Sequence, residues 1–131
     1  MKLYFEDKTK KYKKSDFEKR AQAIFKKLRI NDKIELGLKL TDNQEIRKLN
    51  RKFRHLDMPT DVLSFPIDLP AKNRVEPRMI GDIVISLDFV KNKKEAMELF
   101  DHGLLHLLGF DHEKKQKEWQ SVLLKIDNCK L

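Results

Sequence analysis

The segment Ile34-Glu-Leu-Gly-Leu-Lys-Leu40 alternates apolar residues with small or charged ones. Because successive side chains of a β-strand point to opposite faces, this pattern predicts a strand with one buried face. The next residues, Thr41-Asp-Asn-Gln44, have the form of a helix capping box. We therefore expect the strand to lead directly into a helix whose apolar side carries Ile46, Leu49 and Phe53.

Two further elements are predicted before this strand. Residues 2–6 alternate enough to form a short first strand. The sequence Ser15-Asp-Phe-Glu18 has the form of a second capping box, and apolar residues recur behind it at helical spacing over residues 16–29. An amphipathic helix is therefore expected between the first two strands.

Two more strands are predicted after the second helix. Val62-Leu-Ser-Phe65 and Gly81-Asp-Ile-Val-Ile-Ser86 are short apolar runs of the kind found in buried strands. A loop rich in proline, asparagine and charged residues separates them over about residues 68–79.

The remaining pattern is helical. One helix is predicted over about residues 88–108 and ends at Gly109, and a last helix closes the chain. The apolar positions of that last helix are Trp119, Val122, Leu123 and Ile126. The order β-α-β-α-β-β-α-α predicts one small α+β domain over residues 1–131, with about four to five helices packed on a four-stranded mixed sheet.

The charge of the chain favours polyanionic partners. Lysine and arginine number 29 against 21 aspartate and glutamate residues, which gives a formal net charge of +8. The densest basic run is Lys8-Thr-Lys-Lys-Tyr-Lys-Lys14. Such a surface can neutralise nucleic-acid phosphates, but lysine-rich faces can equally serve only to keep a protein in solution.

The composition also indicates a compartment. No apolar run approaches the roughly 20 residues that a membrane span needs, so no membrane partner is expected. A single cysteine, Cys129, cannot form an internal disulfide. A reducing, cytoplasmic location is the natural expectation.

Three of the four histidines lie in His102-Gly-Leu-Leu-His-Leu-Leu-Gly-Phe-Asp-His112. His102 and His106 are four residues apart, which places them on the same face of a helix. Gly109 can adopt the left-handed conformation that ends a helix, so that the chain can turn and bring His112 towards the other two.

Three imidazoles in this arrangement would suit one zinc ion per chain, with the fourth position open to water, as in catalytic zinc sites. Copper and nickel also bind imidazole, so the residues alone leave the metal open. A pair of histidines on a helix can also be an ordinary, partly exposed polar pair.

The same histidine spacing occurs in the metzincin peptidases. Those enzymes need a glutamate directly after the first histidine as the general base, whereas this sequence has Gly103 there. The glycine at this position argues against peptidase activity, although the three histidine ligands would be the same as in the metzincins.

Together with Pro59-Thr-Asp-Val-Leu-Ser-Phe-Pro66 and Gly81-Asp-Ile-Val-Ile-Ser86, the histidine segment resembles the YbeY family of bacterial single-strand-specific endoribonucleases. The sequence similarity to the family extends from about Leu49 to Glu113. It implies zinc on the three histidines and a functional role for Arg54. It also implies action on ribosomal RNA, with maturation of the 3′ end of 16S rRNA, ribosome quality control and the small ribosomal subunit or its proteins as partners.

The chain departs from the family pattern in three places. Phe110 stands where the family usually has tyrosine. The stretch between Ser86 and His102 is shorter than in the family, and so is the loop before Gly81. These differences would reshape the walls of the cleft, so they bear on substrate preference more than on the metal.

Several other residues have two interpretations. Arg54 could clamp the scissile phosphate or be a surface arginine at a helix end. Asp111 could accept a proton or cap a tight turn. His55 is expected at the surface beside Arg54, with phosphate contact as the alternative. Thr60, Asp61 and Ser64 could line the groove, or the first two could cap turns. Trp119 and the phenylalanines at helical spacing are expected in the core rather than as base-stacking platforms.

The sequence therefore predicts a zinc-dependent endoribonuclease that acts on single-stranded RNA, with Arg54 and Asp111 as catalytic residues. Two alternatives belong to other classes. One is a ribosome-assembly factor that binds RNA or a ribosomal protein with little catalysis of its own. The other is a zinc hydrolase of another substrate, for which the positive charge is incidental.

Overall fold

A computed structural model describes residues 1–67 and 78–110 of the chain. Its elements follow the order β1 (Lys2–Asp7), α1 (Lys14–Lys27), β2 (Ile34–Thr41), α2 (Asn43–Arg54), β3 (Val62–Pro66), β4 (Arg78–Ser86), a short 3-10 helix (Leu87–Phe89) and α3 (Lys93–Leu107). The predicted α+β class is confirmed. The predicted last helix lies outside the described residues, and a single domain over residues 1–131 stays a prediction.

The four strands form one mixed sheet in the order β1-β2-β4-β3. β1 pairs with β2, and β2 with β4, in parallel, whereas β3 pairs with β4 antiparallel. Parallel neighbours need a crossover connection, and α1 supplies it between β1 and β2. Among the described residues no helix is long and apolar enough to cross a membrane.

The two faces of the sheet are covered to different extents. On one face, α1 and α3 pack on the alternating side chains of β2 and its neighbours, which form the main core. On the other face, Ile46 of α2 packs on Leu63 and Val84 of β3 and β4. Among the described helices, α2 thus packs on the half of this face that β3 and β4 form, and Tyr4 of β1 on the other half is exposed.

The start of α1 differs from the prediction. α1 begins at Lys14, and no side chain caps it, so the capping box predicted at Ser15 is wrong. The Asp7 carboxylate organises the preceding loop instead. It accepts hydrogen bonds from the backbone N–H groups of Thr9, Lys11 and Tyr12, each at 2.9 Å. These bonds order the loop that leads into α1.

Two other helix starts are displaced from their predicted positions. The N-cap of α2 is Asp42, one residue after the predicted Thr41, and its carboxylate accepts a hydrogen bond of 2.9 Å from the Glu45 N–H. The helix predicted over residues 88–108 is interrupted, because Val90 is extended and α3 begins after Asn92, whose side chain caps it.

One buried ion pair joins α1 to α3. The Arg20 guanidinium donates to both carboxylate oxygens of Asp101, at 2.9 and 2.6 Å, and only 12% and 9% of the two side chains is exposed. Arg47 and Asp57 make the same type of paired contact, at 2.8 and 3.3 Å, with 55% and 51% exposed. The two pairs have similar geometry and differ in burial.

We predict that Arg20→Met lowers the free energy of unfolding by about 3 kcal/mol, because the Asp101 carboxylate would stay buried without its cation. Arg47→Met is the matched control and should leave stability unchanged, because water solvates the exposed Asp57 carboxylate. Urea unfolding of both variants measures the difference. Equal losses in the two variants would contradict a special role for the buried pair.

Three hydrogen-bond donors surround the Glu45 carboxylate at the start of α2. The carboxylate accepts hydrogen bonds from the Lys39 ammonium, from Lys8 at 2.8 Å and from the Thr41 hydroxyl. These contacts, with that of Lys39 the strongest, lower the pKa of Glu45 from 4.5 to about 2. Folding therefore favours the ionised carboxylate over the protonated form.

A carboxyl group whose pKa is lowered by folding contributes stability above its unfolded pKa, and this contribution is lost as the pH falls through the folded value. We therefore expect Glu45→Gln to be less stable than the wild type at pH 7. The difference should shrink between about pH 4.5 and pH 2. Urea unfolding at several pH values measures it, and a pH-independent difference would contradict this assignment.

Candidate active site

An open cleft of about 910 Å³ lies between the end of α2, β3 and α3. It is lined by Phe53, Arg54, Asp61, Val62, Ser64, Phe65, Pro66, Leu99, His102, Gly103 and His106. Three of the predicted site residues, Arg54, His102 and His106, are thus brought to one cavity. Asp111 and His112 lie outside the described residues.

Helix α3 presents its two histidines to the cleft because its other side is held in the core. Phe100, Leu104 and Leu107 are buried, and Asp101 pairs with Arg20. His102 is exposed and His106 is half-buried. Their separation of four residues places them about one turn apart on the same side of the helix.

Gly103, between the two histidines, packs closely against Ile83 of β4. A Cβ atom at this position would lie 2.7 Å from Cγ2 of Ile83, a side chain that is itself fully buried. The space that a side chain at residue 103 would need is therefore already occupied by Ile83. A glutamate could not occupy this position without displacing Ile83, so the structure adds a steric argument against the peptidase mechanism.

The end of α3 follows the predicted pattern. Gly109 has a φ of +92°, and its N–H donates to the His106 carbonyl at 3.0 Å. The Phe110 N–H donates to the Leu105 carbonyl at 2.9 Å, and the Phe110 ring packs against the main core. The prediction that Gly109 ends the helix in a left-handed conformation is confirmed.

Arg54 is the last residue of α2, and the turn that follows fixes the end of this helix. His55 is exposed and adopts the left-handed conformation, with φ 59° and ψ 29°. The buried Asn50 side chain donates to the Met58 carbonyl at 2.9 Å and ties the following loop to the helix. The role of Asn50 could not be predicted from the sequence, because only the fold shows that its amide is buried.

The opposite wall of the cleft contains both polar residues and aromatic rings. The Asp61 carboxylate accepts from the Val62 N–H at 2.8 Å, which supports the turn-capping interpretation, and Asp61 and Ser64 also line the cleft. Phe53 and Phe65 form an edge-to-face pair, with ring centroids 5.3 Å apart. Phe53 is 55% exposed, so its predicted place in the core is wrong.

The described residues supply part of a metal site. Two imidazoles one helical turn apart, opening into one cleft, are donors that zinc accepts, and a catalytic zinc site needs a third protein ligand. Within residues 1–67 and 78–110 no group of three histidine, cysteine or acidic side chains is placed to hold a metal. The pair fits zinc in donor type, and a third ligand would have to come from outside the described residues.

The chain matches the family model of endoribonuclease YbeY over residues 2–125. It belongs to this family. An endoribonuclease YbeY from Persephonella marina is 45% identical over 122 residues, which cover 86% of this chain and 75% of that protein. One from Aquifex aeolicus is 39% identical over 120 residues, covering 85% and 77%. The predicted family, and with it the predicted class of enzyme, are confirmed.

A solved structure shows the same fold. The chain is similar to the solution structure of TM1509 from Thermotoga maritima, with a TM-score of 0.56 and 28% sequence identity. The match covers 95% of this chain and 84% of that one. The arrangement of strands and helices is thus shared with a protein of moderate sequence similarity.

The close packing at Gly103 leads to a test. We predict that Gly103→Ala lowers the free energy of unfolding by about 1–3 kcal/mol, because the added methyl group would displace Ile83. At an unconstrained helical position the same change stabilises a protein by about 1 kcal/mol. The sign of the change in the free energy of unfolding, measured with urea, therefore tests the close contact. An increase in stability would contradict it. Glu98→Ala, at an exposed position of α3, is the control and should not destabilise.

Proposed function

We propose that this protein is a zinc-dependent endoribonuclease that cleaves single-stranded RNA in the cleft between α2 and α3. The observation that carries the proposal is that His102, His106 and Arg54 line the same cavity. Membership of the endoribonuclease YbeY family supports the same reaction.

His102, His106 and His112 are the proposed ligands of one zinc ion per chain. Zinc bound there would polarise a phosphoryl oxygen and lower the pKa of a bound water to about 7. The contribution of the protein is to hold two of the ligands on a helix that is fixed by Gly103 and by the Arg20–Asp101 pair. A rigid helix keeps the imidazoles oriented towards the cleft.

Arg54 is proposed to bind the scissile phosphate. A guanidinium offers a planar pair of N–H donors that match two phosphate oxygens. Because the end of α2 is fixed by the turn at His55 and by the Asn50 amide, Arg54 starts from a defined position. Its charge would stabilise the negative charge that increases during phosphodiester hydrolysis.

Asp111 is proposed as a proton acceptor beside His112. A carboxylate in this place could take the proton of the attacking water, and capping of a tight turn is the alternative role. Replacement by asparagine separates the two roles, because the amide can still cap a turn but is a poor base.

The proposed substrate is ribosomal RNA, with processing of the 3′ end of 16S rRNA and ribosome quality control as the cellular roles. The small ribosomal subunit or its proteins would be the partners. The net charge of +8 supports a polyanionic partner. The cytoplasmic location inferred from the single cysteine stays a prediction.

Cleavage of a labelled single-stranded RNA tests the proposal, with zinc content measured on every sample. The wild type should cleave and hold about one zinc per chain, and His106→Ala should lose both properties. Arg54→Ala should keep its zinc and lose about 10²–10³-fold in kcat, by analogy with other groups that stabilise transition-state charge. Arg47→Ala, on the same helix but outside the cleft, is the control and should cleave normally.

The alternatives give different results in this experiment. Equal cleavage by the wild type and by His106→Ala would indicate a contaminating nuclease and favour an assembly factor without catalysis. Loss of zinc in Arg54→Ala would contradict a purely phosphate-binding role for that side chain. RNA binding that is insensitive to salt would favour a zinc hydrolase of another substrate, because phosphate contacts weaken steeply as salt rises.

A further inference from the structure

A second groove lies on the half of the sheet that α2 leaves accessible. It has a volume of about 780 Å³ and runs between β1 and α2. One line of residues in register, Tyr4, Gly37, Asp82 and Phe65, crosses its floor from β1 to β3. An aromatic ring thus stands at each end of the line, with a glycine and a carboxylate between them.

The aromatic rings of the groove are available for stacking. Tyr4 is 45% exposed and Phe53 is 55% exposed, although both are large side chains that usually lie mostly buried. The Lys2 ammonium lies 4.8 Å from the centroid of the Tyr4 ring. Exposed aromatic rings on a sheet surface are how several RNA-binding domains hold unpaired bases.

The Asp82 carboxylate lines this groove and is exposed. Among the described residues, none donates a hydrogen bond to it or forms an ion pair with it. A Cβ atom on Gly37 would lie 2.1 Å from its Oδ1 atom, so any other residue at position 37 would displace the carboxylate. The absence of a side chain at Gly37 therefore lets Asp82 lie over the neighbouring strand.

The charges around the groove do not favour a phosphate group in its centre. Three lysines (Lys2, Lys14 and Lys39) and three acidic residues (Glu6, Glu45 and Asp82) line it, so their formal charges cancel. Lys39 and Glu45 are also paired with each other. A planar ligand with N–H donors fits the rings and the carboxylate better than an anion does.

The groove borders the proposed catalytic cleft. Phe53 and Phe65 line both cavities. A strand of RNA bound near His102, His106 and Arg54 would therefore reach the groove by crossing this pair of rings.

We propose that this groove binds one unpaired base of the RNA substrate and prefers guanine. Among the four bases, guanine alone presents two adjacent N–H donors, N1–H and the 2-amino group, and one carboxylate can accept both. Tyr4 would stack on the base, and the Asp82 carboxylate would accept the hydrogen bonds from its edge. This inference rests on the proposed function, because it takes RNA as the substrate.

Binding of short, uncleavable 2′-O-methyl oligonucleotides to the full chain tests the inference. The oligonucleotides differ in one base, which is guanine, adenine, cytosine, uracil or inosine, and fluorescence anisotropy gives Kd. The wild type should bind the guanine form at least about fivefold more tightly than the others, as expected for a base held by two hydrogen bonds. Inosine, which lacks the 2-amino group, should lose part of this preference.

Three variants identify the groups responsible. Asp82→Asn should remove the preference for guanine over inosine, because the amide offers only one acceptor. Tyr4→Leu should weaken binding of all forms by about fivefold or more, because the stacking ring is lost. Tyr4→Phe is the matched control. It keeps the ring, loses the 3.2 Å hydrogen bond to Glu35, and should bind like the wild type. Unchanged thermal unfolding confirms that each variant is folded.

Equal affinity for all five oligonucleotides, or a guanine preference that survives in Asp82→Asn, would overturn the inference. Asp82-dependent binding of a lysine-rich peptide without any base preference would also overturn it and assign the groove to a protein partner. Cleavage is measured in parallel. Cleavage without base preference would contradict the inference alone, and base preference without cleavage would contradict the proposed reaction alone.

Discussion

The close contact between α3 and β4 at Gly103 is the constraint on which the candidate site depends. Because Gly103 has no side chain, the helix backbone can lie directly against Ile83, and the histidines on either side of the glycine are fixed relative to the sheet. The Arg20–Asp101 pair fixes the rotation of the same helix from the side of α1. The position of both imidazoles thus follows from the packing of other residues of the same helix, Asp101 and Gly103.

The two faces of the sheet are covered unequally, which leaves room for the cleft with the histidines and for the groove with Tyr4. α1 and α3 bury one face in the main core, and α2 buries only the half of the other face that β3 and β4 form. The edges of α2 therefore border both the cleft with the histidines and the groove with Tyr4. Phe53 is exposed for this reason, although its spacing along the helix resembles that of a core residue.

Features that depend on neighbours along the chain could be predicted from the sequence. The alternation in β2 and the spacing of His102 and His106 are local patterns, and the structure reproduces both. The helix starts were less accurate, because a capping-box pattern does not show which residue begins the helix. α1 begins at Lys14 without a side-chain cap, and Asp42 rather than Thr41 caps α2. The relation between Tyr4, Asp82 and Phe65 could not be predicted, since it depends on the register of four strands.

The order of the strands has a consequence for folding. β1, α1 and β2 are consecutive, so this unit can form by closing short loops. β4 must then add beside β2 from a position about forty residues further along the chain, and within the described sheet β3 pairs with β4 alone. Long-range closures of this kind slow folding. The wall of the cleft that β3 provides is thus expected to assemble late, after the β1-α1-β2 unit.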